Sequence, residues 1–106
     1  AGLNDIGHYF PDTDEAYRNI DSKILLEKTI SLVKKEGYSV SNIDSTVCLE
    51  KPRIAPFVPE MKKIISAITG VDENSVSVKA TTTEKMGFAG RGEGLFAIAS
   101  VLLTRE

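Results

Sequence analysis

Tryptophan is absent from this chain, cysteine and histidine occur once each, and no apolar run extends beyond a few residues. Each scarcity excludes a class of protein. A lone Cys48 cannot form an internal disulfide and suits a reducing compartment. With His8 as the only histidine, no His-rich metal cluster can be built from this chain alone. The apolar runs fall far short of the ~20 residues that a membrane-spanning helix needs. Charge of one sign is also missing: 13 basic against 15 acidic residues leave a net charge of -2. Neither a nucleic acid nor an anionic membrane is therefore expected as a partner, and any bound anion must be held locally. At 106 residues the chain is expected to form a single domain, residues 1–106.

Hydrophobic periodicity supplies the elements. Residues 1–19 are loop-rich, with Gly2, Gly7 and Pro11 as breakers and Asp5, Asp12 and Asp14 as turn formers. Asp14 or Thr13 can start a short helix through Ala16 and Tyr17. From Ser22 to Glu36 the apolar residues recur with a helical period, Asp21 or Ser22 can cap the start, and Gly37 suits a left-handed C-terminal cap. The period changes to two from Tyr38 to Glu50, a strand in which Cys48 reads as a small buried filler. Three prolines in the eight residues from Pro52 predict a stiff, extended segment. Pro59 then opens a second helix that runs to Gly70.

Residues 75–82 alternate cleanly, with Val76, Val78 and Ala80 predicted inward. The last strand, residues 94–104, is apolar on both faces. Two substantial helices cannot cover both sides of such a sheet. The expected fold is α+β, a mixed sheet with helices packed on one face and its other face buried against further subunits.

Between the last two strands lies the stretch richest in chemistry, Lys79-Ala80-Thr81-Thr82-Thr83-Glu84-Lys85-Met86-Gly87-Phe88-Ala89-Gly90-Arg91-Gly92-Glu93-Gly94. Three consecutive threonines offer hydroxyl and amide donors at a strand end, and Glu84 offers a hard oxygen ligand suited to magnesium or manganese. Lys85 and Arg91 supply positive charge, while four glycines let the backbone approach a ligand closely. This is a phosphate-handling composition, although it lacks the Gly-Lys-Ser/Thr ending of a Walker loop and the dinucleotide spacing. The plain alternative is a Gly-rich hairpin between two strands.

In its order of residues this stretch closely resembles the signature of the 2-C-methyl-D-erythritol 2,4-cyclodiphosphate synthase family. The resemblance extends to two further segments. Asp5-Ile6-Gly7-His8-Tyr9-Phe10-Pro11-Asp12-Thr13-Asp14 is similar to the family's substrate loop, and Leu49-Glu50-Lys51-Pro52-Arg53-Ile54-Ala55 to its cytosine-binding segment. The resemblance implies an intramolecular phosphoryl transfer in which 4-diphosphocytidyl-2-C-methyl-D-erythritol 2-phosphate closes to the cyclic diphosphate and expels CMP. It implies that Asp5, Ile6 and Gly7 hold the erythritol, with Phe10, Pro11, Asp12, Thr13 and Asp14 shaping the same pocket. Residues 49–55 would read the cytosine, chiefly through backbone groups. Thr81, Thr82 and Thr83 would hold the diphosphate, with Thr82 as the catalytic contact, and Glu84 would bind magnesium or manganese. Phe88 and Arg91 resemble residues lining a central cavity of a homotrimer in which an isoprenoid diphosphate can bind.

The family's zinc ligands fall upstream of the segment matching Ala1, so the chain reads as the C-terminal two thirds of such an enzyme. It is expected to lack zinc and, by itself, to turn over little substrate. His8 stands at a position that varies in the family and reads as a rim residue. The expected location is the bacterial cytoplasm, or the plastid stroma in a eukaryote. Two other classes compete: a noncatalytic module binding a cytidine nucleotide or isoprenoid diphosphate, and a trimerisation domain.

Overall fold

A computed structural model describes residues 1–106, which form two compact units, Ala1–Ser39 with Leu103–Glu106 and Val40–Leu102. The helices are α1 (Ile6–Tyr9), α2 (Ser22–Lys35), α3 (Val58–Thr69) and α4 (Gly87–Gly90), and the strands are β1 (Tyr38–Cys48), β2 (Val76–Thr81) and β3 (Phe96–Arg105). Short 3-10 turns occupy Glu15–Tyr17, Ala55–Phe57 and Glu73–Ser75.

In the first unit, aspartates decide where helices start. Asp21 caps α2 by accepting the Lys23 N–H at 2.9 Å, which satisfies a donor that the first turn leaves orphaned. Asp14 caps the expected turn at Glu15–Tyr17 through the Ala16 N–H at 3.0 Å. Asp5 does the same for His8 at 3.1 Å and so creates α1, a helix that periodicity over four residues could not announce. Gly37, at φ 88, closes α2 with its N–H on the Lys34 carbonyl at 2.9 Å, as the sequence predicts. Ile30 and Val33 of α2 are buried. The strand ends that belong to this unit are joined by the Glu106 N–H on the Gly37 carbonyl at 2.8 Å and by Arg105, which donates to the Tyr38 hydroxyl at 2.6 Å.

The second unit is built on a parallel pair. Strands β1 and β2 run in register from Ile43 opposite Val76 to Cys48 opposite Thr81. Parallel neighbours need a crossover, and α3 supplies it, packing on β2. Gly70 ends α3 in the left-handed conformation (φ 81), its N–H on the Ser66 carbonyl at 2.9 Å. The proline-rich segment departs from the extended form expected of it. Ala55–Phe57 is a 3-10 turn running directly into α3, because Pro56 and Pro59 both fall in first turns, where a missing N–H costs nothing.

Strand β3 completes a mixed three-stranded sheet in the order β2-β1-β3. With β1 between them, β2 and β3 are not neighbours, so the Gly-rich stretch is not a hairpin. Alternation on β2 fades along the strand: Val76 is buried, Val78 half-buried and Ala80 exposed. Cys48 is buried at the end of β1, as expected of a filler. Because α3 lies over β2 at the far edge, β3 keeps both faces open, with Ile98 on one face 65% and Val101 on the other 50% exposed.

Candidate functional site

The register of β1 against β2 builds the site. Cys48 and Thr81 end the two strands side by side, and the Leu49 N–H extends the ladder to the Thr81 carbonyl at 3.1 Å. The chain leaving β1 and the chain leaving β2 therefore emerge together at the carboxyl edge of the parallel pair, the usual place for a ligand in such sheets. Between them lies a cavity of about 230 Å³, lined by Leu49, Glu50, Pro52, Arg53, Ile54 and Ala55 from one side and Ala80, Thr81 and Thr82 from the other. Two segments some thirty residues apart in sequence, both marked by the same family resemblance, line one cavity.

The three threonines are not equivalent. Thr83 donates its hydroxyl to the Met86 carbonyl while the Met86 N–H returns to the Thr83 carbonyl at 3.1 Å, so this side chain fastens a turn. Thr81 donates to the Thr82 carbonyl at 3.2 Å. Thr82 instead accepts the Glu84 N–H at 3.3 Å, which leaves its own hydroxyl proton free to donate. Of the three, Thr82 alone lines the cavity with a donor that the protein has not already used.

Glu84 and Lys85 follow at φ 55 and φ 65, two consecutive non-glycine residues in the left-handed region. Such a turn needs support, and α4 provides it. A Cβ at Gly90 would stand 2.2 Å from the Lys85 carbonyl carbon and 2.7 Å from the Thr83 hydroxyl oxygen. Gly90 thus allows α4 to lie against the turn that presents Glu84. Its close approach is to the protein's own backbone, a role that composition could not separate from approach to a ligand.

A second cavity, of about 550 Å³, is lined by Glu50, Lys51, Lys85, Gly90, Arg91 and Gly92. Arg91 is oriented by Glu93, with Nε and Nη2 on the two carboxylate oxygens at 2.9 and 3.1 Å. Sequence reasoning passed over Glu93, although its place two residues after Arg91 was the available signal. Glu50 borders both cavities, and its Oε2 is buried without a hydrogen-bond partner. Phe88 is 48% exposed, its ring 6.0 Å from that of Phe96.

The remaining predicted residues belong to the first unit. Asp5 and Asp14 spend a carboxylate oxygen each on capping, Ile6 and Gly7 lie in α1, and Asp12 and Thr13 are exposed. Phe10 meets the Tyr17 ring edge-on at 5.5 Å, beside a half-buried Pro11. No three His, Cys, Asp or Glu side chains converge on a point. The residues present do not fit a zinc ion, which asks for three or four such ligands. Glu84 is a single exposed carboxylate, a donor set that magnesium uses only together with phosphate oxygens and water.

Comparison with known proteins places this geometry among relatives. The YgbB family matches residues 1–104. The 2-C-methyl-D-erythritol 2,4-cyclodiphosphate synthase of Bacteroides thetaiotaomicron is 50% identical over 106 residues, covering 100% of this chain and 67% of the relative. The protein of the same name from Bacteroides fragilis is 49% identical, covering 99% of this chain and 66% of the relative. The chain thus spans about two thirds of the length of the curated relatives it matches. Among solved structures, the bifunctional IspDF from Campylobacter jejuni superposes with a TM-score of 0.94 at 40% identity, covering 99% of this chain and 28% of that one. The CDP complex of IspF from Plasmodium falciparum gives a TM-score of 0.84 at 32% identity, covering 99% of this chain and 62% of that one.

Proposed function

The chain belongs to the YgbB family, and on that premise we propose that the protein containing it is a cyclodiphosphate synthase. Its substrate is 4-diphosphocytidyl-2-C-methyl-D-erythritol 2-phosphate. An oxygen of the 2-phosphate forms a bond to the β-phosphorus, the bond from that phosphorus to the bridging oxygen breaks, and CMP leaves with that oxygen. The products are CMP and 2-C-methyl-D-erythritol 2,4-cyclodiphosphate. The observation that carries this reading is the cavity at the ends of β1 and β2, where Leu49, Glu50 and residues 52–55 face Thr81 and Thr82. Support comes from the names of the bacterial relatives and from the CDP complex among the structural neighbours.

Phosphoryl transfer asks a protein mainly for positioning and charge neutralisation. Backbone groups of residues 49–55 hold the cytosine, with the apolar side chains of Leu49, Pro52 and Ile54 excluding water around the ring. Thr82 donates its free hydroxyl proton to the diphosphate, where charge accumulates as the new bond forms. Thr81 and Thr83 shape the strand end that keeps it there. Asp5, Ile6 and Gly7, with residues 10–14, hold the erythritol. Glu84 would hold a magnesium or manganese ion, whose contribution when bound is to neutralise phosphate charge. Zinc is assigned no residue of this chain.

Two exposed faces on β3 support assembly as a homotrimer around these strands, with Phe88 and Arg91 facing a central cavity able to take an isoprenoid diphosphate. No helix is long and apolar enough to cross a membrane, and the proposed location is the bacterial cytoplasm. Calorimetric titration with CDP beside an assay of CMP release tests the whole reading on a chain of the relatives' length. Binding with release supports it. Binding without release turns the protein into a nucleotide-binding module, and the absence of both sinks the proposal.

A further inference from the structure

In the first unit, a cavity of about 340 Å³ lies against one face of α2. Its floor is Lys28, Ser31, Leu32 and Lys35, spaced i, i+3, i+4 and i+7, the spacing that puts residues on a single helical face. Its walls are Tyr9, Phe10 and Tyr17, so that three of the chain's seven aromatic side chains converge there. The rings already pack as aromatic pairs do, Phe10 and Tyr17 meeting edge-on with centroids 5.5 Å apart.

The cations are equally placed. Lys28 Nζ stands 5.1 Å from the Tyr17 ring centroid, held at the cavity by attraction to the ring face. Neither Lys28 nor Lys35 takes part in an ion pair; the four in the chain use Arg18, Lys23, Lys79 and Arg91. The Tyr9 hydroxyl accepts the Asn4 N–H at 3.3 Å and keeps its own proton to donate. An exposed lysine-bearing helix face is ordinary. Two unpaired ammonium groups and a free phenol proton around an aromatic-walled concavity are a recognition set, and the volume sits at the small end of ligand pockets.

We propose that this cavity binds a small aromatic anion, a single ring carrying one phosphate or carboxylate group. The ring packs against Phe10 and Tyr17 over Leu32, and the anionic group meets Lys28, Lys35 and the Tyr9 hydroxyl. Phe10 also begins the segment assigned to the erythritol pocket. Resting on that reading, occupancy of the cavity would stiffen residues 10–14 and regulate substrate binding.

The test is an NMR titration of the ¹⁵N-labelled chain with phenyl phosphate, beside inorganic phosphate and phenol. Phenyl phosphate is expected to shift the amides of residues 9, 10, 17 and 28–35 saturably, and more tightly than either fragment alone. Lys28→Met and Lys35→Met, which keep the aliphatic stem, should each weaken binding roughly fivefold. Circular dichroism checks that each variant is folded. The inference is overturned if no saturable shift appears up to about 10 mM, if inorganic phosphate binds equally well, or if both variants bind as the parent does. A parallel CDP titration followed at residues 49–55 and 81–84 keeps the two proposals separate, because either site can respond without the other.

Discussion

Thr82 and Thr83 are identical side chains one position apart, yet only one of them retains a hydroxyl proton to give away. Thr82→Ala removes that donor and should lower CMP release by about 100-fold, as loss of one aligned donor to a developing oxyanion commonly does. CDP affinity should change little, and Thr82→Ser should restore most of the rate. Thr83→Ala instead loosens the turn to Met86 and should show chiefly as lowered stability. Gly90 makes a prediction of a different kind. A methyl group there meets backbone atoms that cannot swing aside, at 2.2 and 2.6 Å, so Gly90→Ala should cost about 2 to 3 kcal/mol in a urea titration. If the urea midpoint of Gly90→Ala matches that of the parent, α4 does not support the left-handed turn. At this scale the sequence yields residue types but not assignments. It offers three threonines and four glycines, and hydrogen-bond direction and close approach decide which of each matters.

At the scale of elements, local chemistry was legible and pairing was not. Asp21 before a helical period and Gly37 after it announce α2 to within a residue, because capping involves neighbours in sequence. The order β2-β1-β3 depends on contacts dozens of residues apart, so the stretch between β2 and β3 invites a hairpin that the topology forbids. The proline-rich segment misleads for a related reason. Pro56 and Pro59 are compatible with an extended chain and with first turns alike, and the helical period of residues 61–68 tips them toward turns. The residues of the site are legible even so, because residues 49–55 and Thr81 and Thr82 carry the family resemblance in their own order, but only the parallel pairing of β1 and β2 brings the two segments together.

Pairing also sets a pH dependence. Lys79 donates to Asp44 across the parallel strands at 2.6 Å, and this bond holds the Asp44 carboxyl below its usual value of 3.8. The Lys23 backbone N–H does the same for Asp21. A carboxyl whose pKa is lowered by folding stabilises the fold above its unfolded value, about 3.9, and that stabilisation disappears as pH falls through the lowered folded value. Acid unfolding monitored by circular dichroism should therefore steepen below about pH 4. The slope should be shallower in Asp44→Asn, which carries no titrating group at that position.

For the whole molecule, the deciding feature is surface that the chain does not cover by itself. The two faces of β3 were legible as apolar from alternation alone, and the exposure of Ile98, Val101 and Leu102 agrees with that reading. Identical copies related by a closed rotation would bury the same patch on every subunit. Leu102→Lys and Val101→Asp should each shift sedimentation toward a smaller species at micromolar concentration, with far-ultraviolet circular dichroism unchanged. A parent chain that sediments only as a monomer would remove the trimer from the proposal.

The position of β3 within the sheet carries one more consequence. As the outer strand in the order β2-β1-β3, it presents a free row of backbone donors and acceptors along a segment that is long, apolar and free of proline. Strands of this kind are templates for cross-β growth. Closed assembly and fibril growth would then compete for the same strand, and the outcome depends on which docks first. Conditions that slow assembly, such as dilution or a charge placed among the face-to-face contacts, prolong the time this edge stands open. The strand best suited to join subunits is also the strand from which the protein would begin to aggregate.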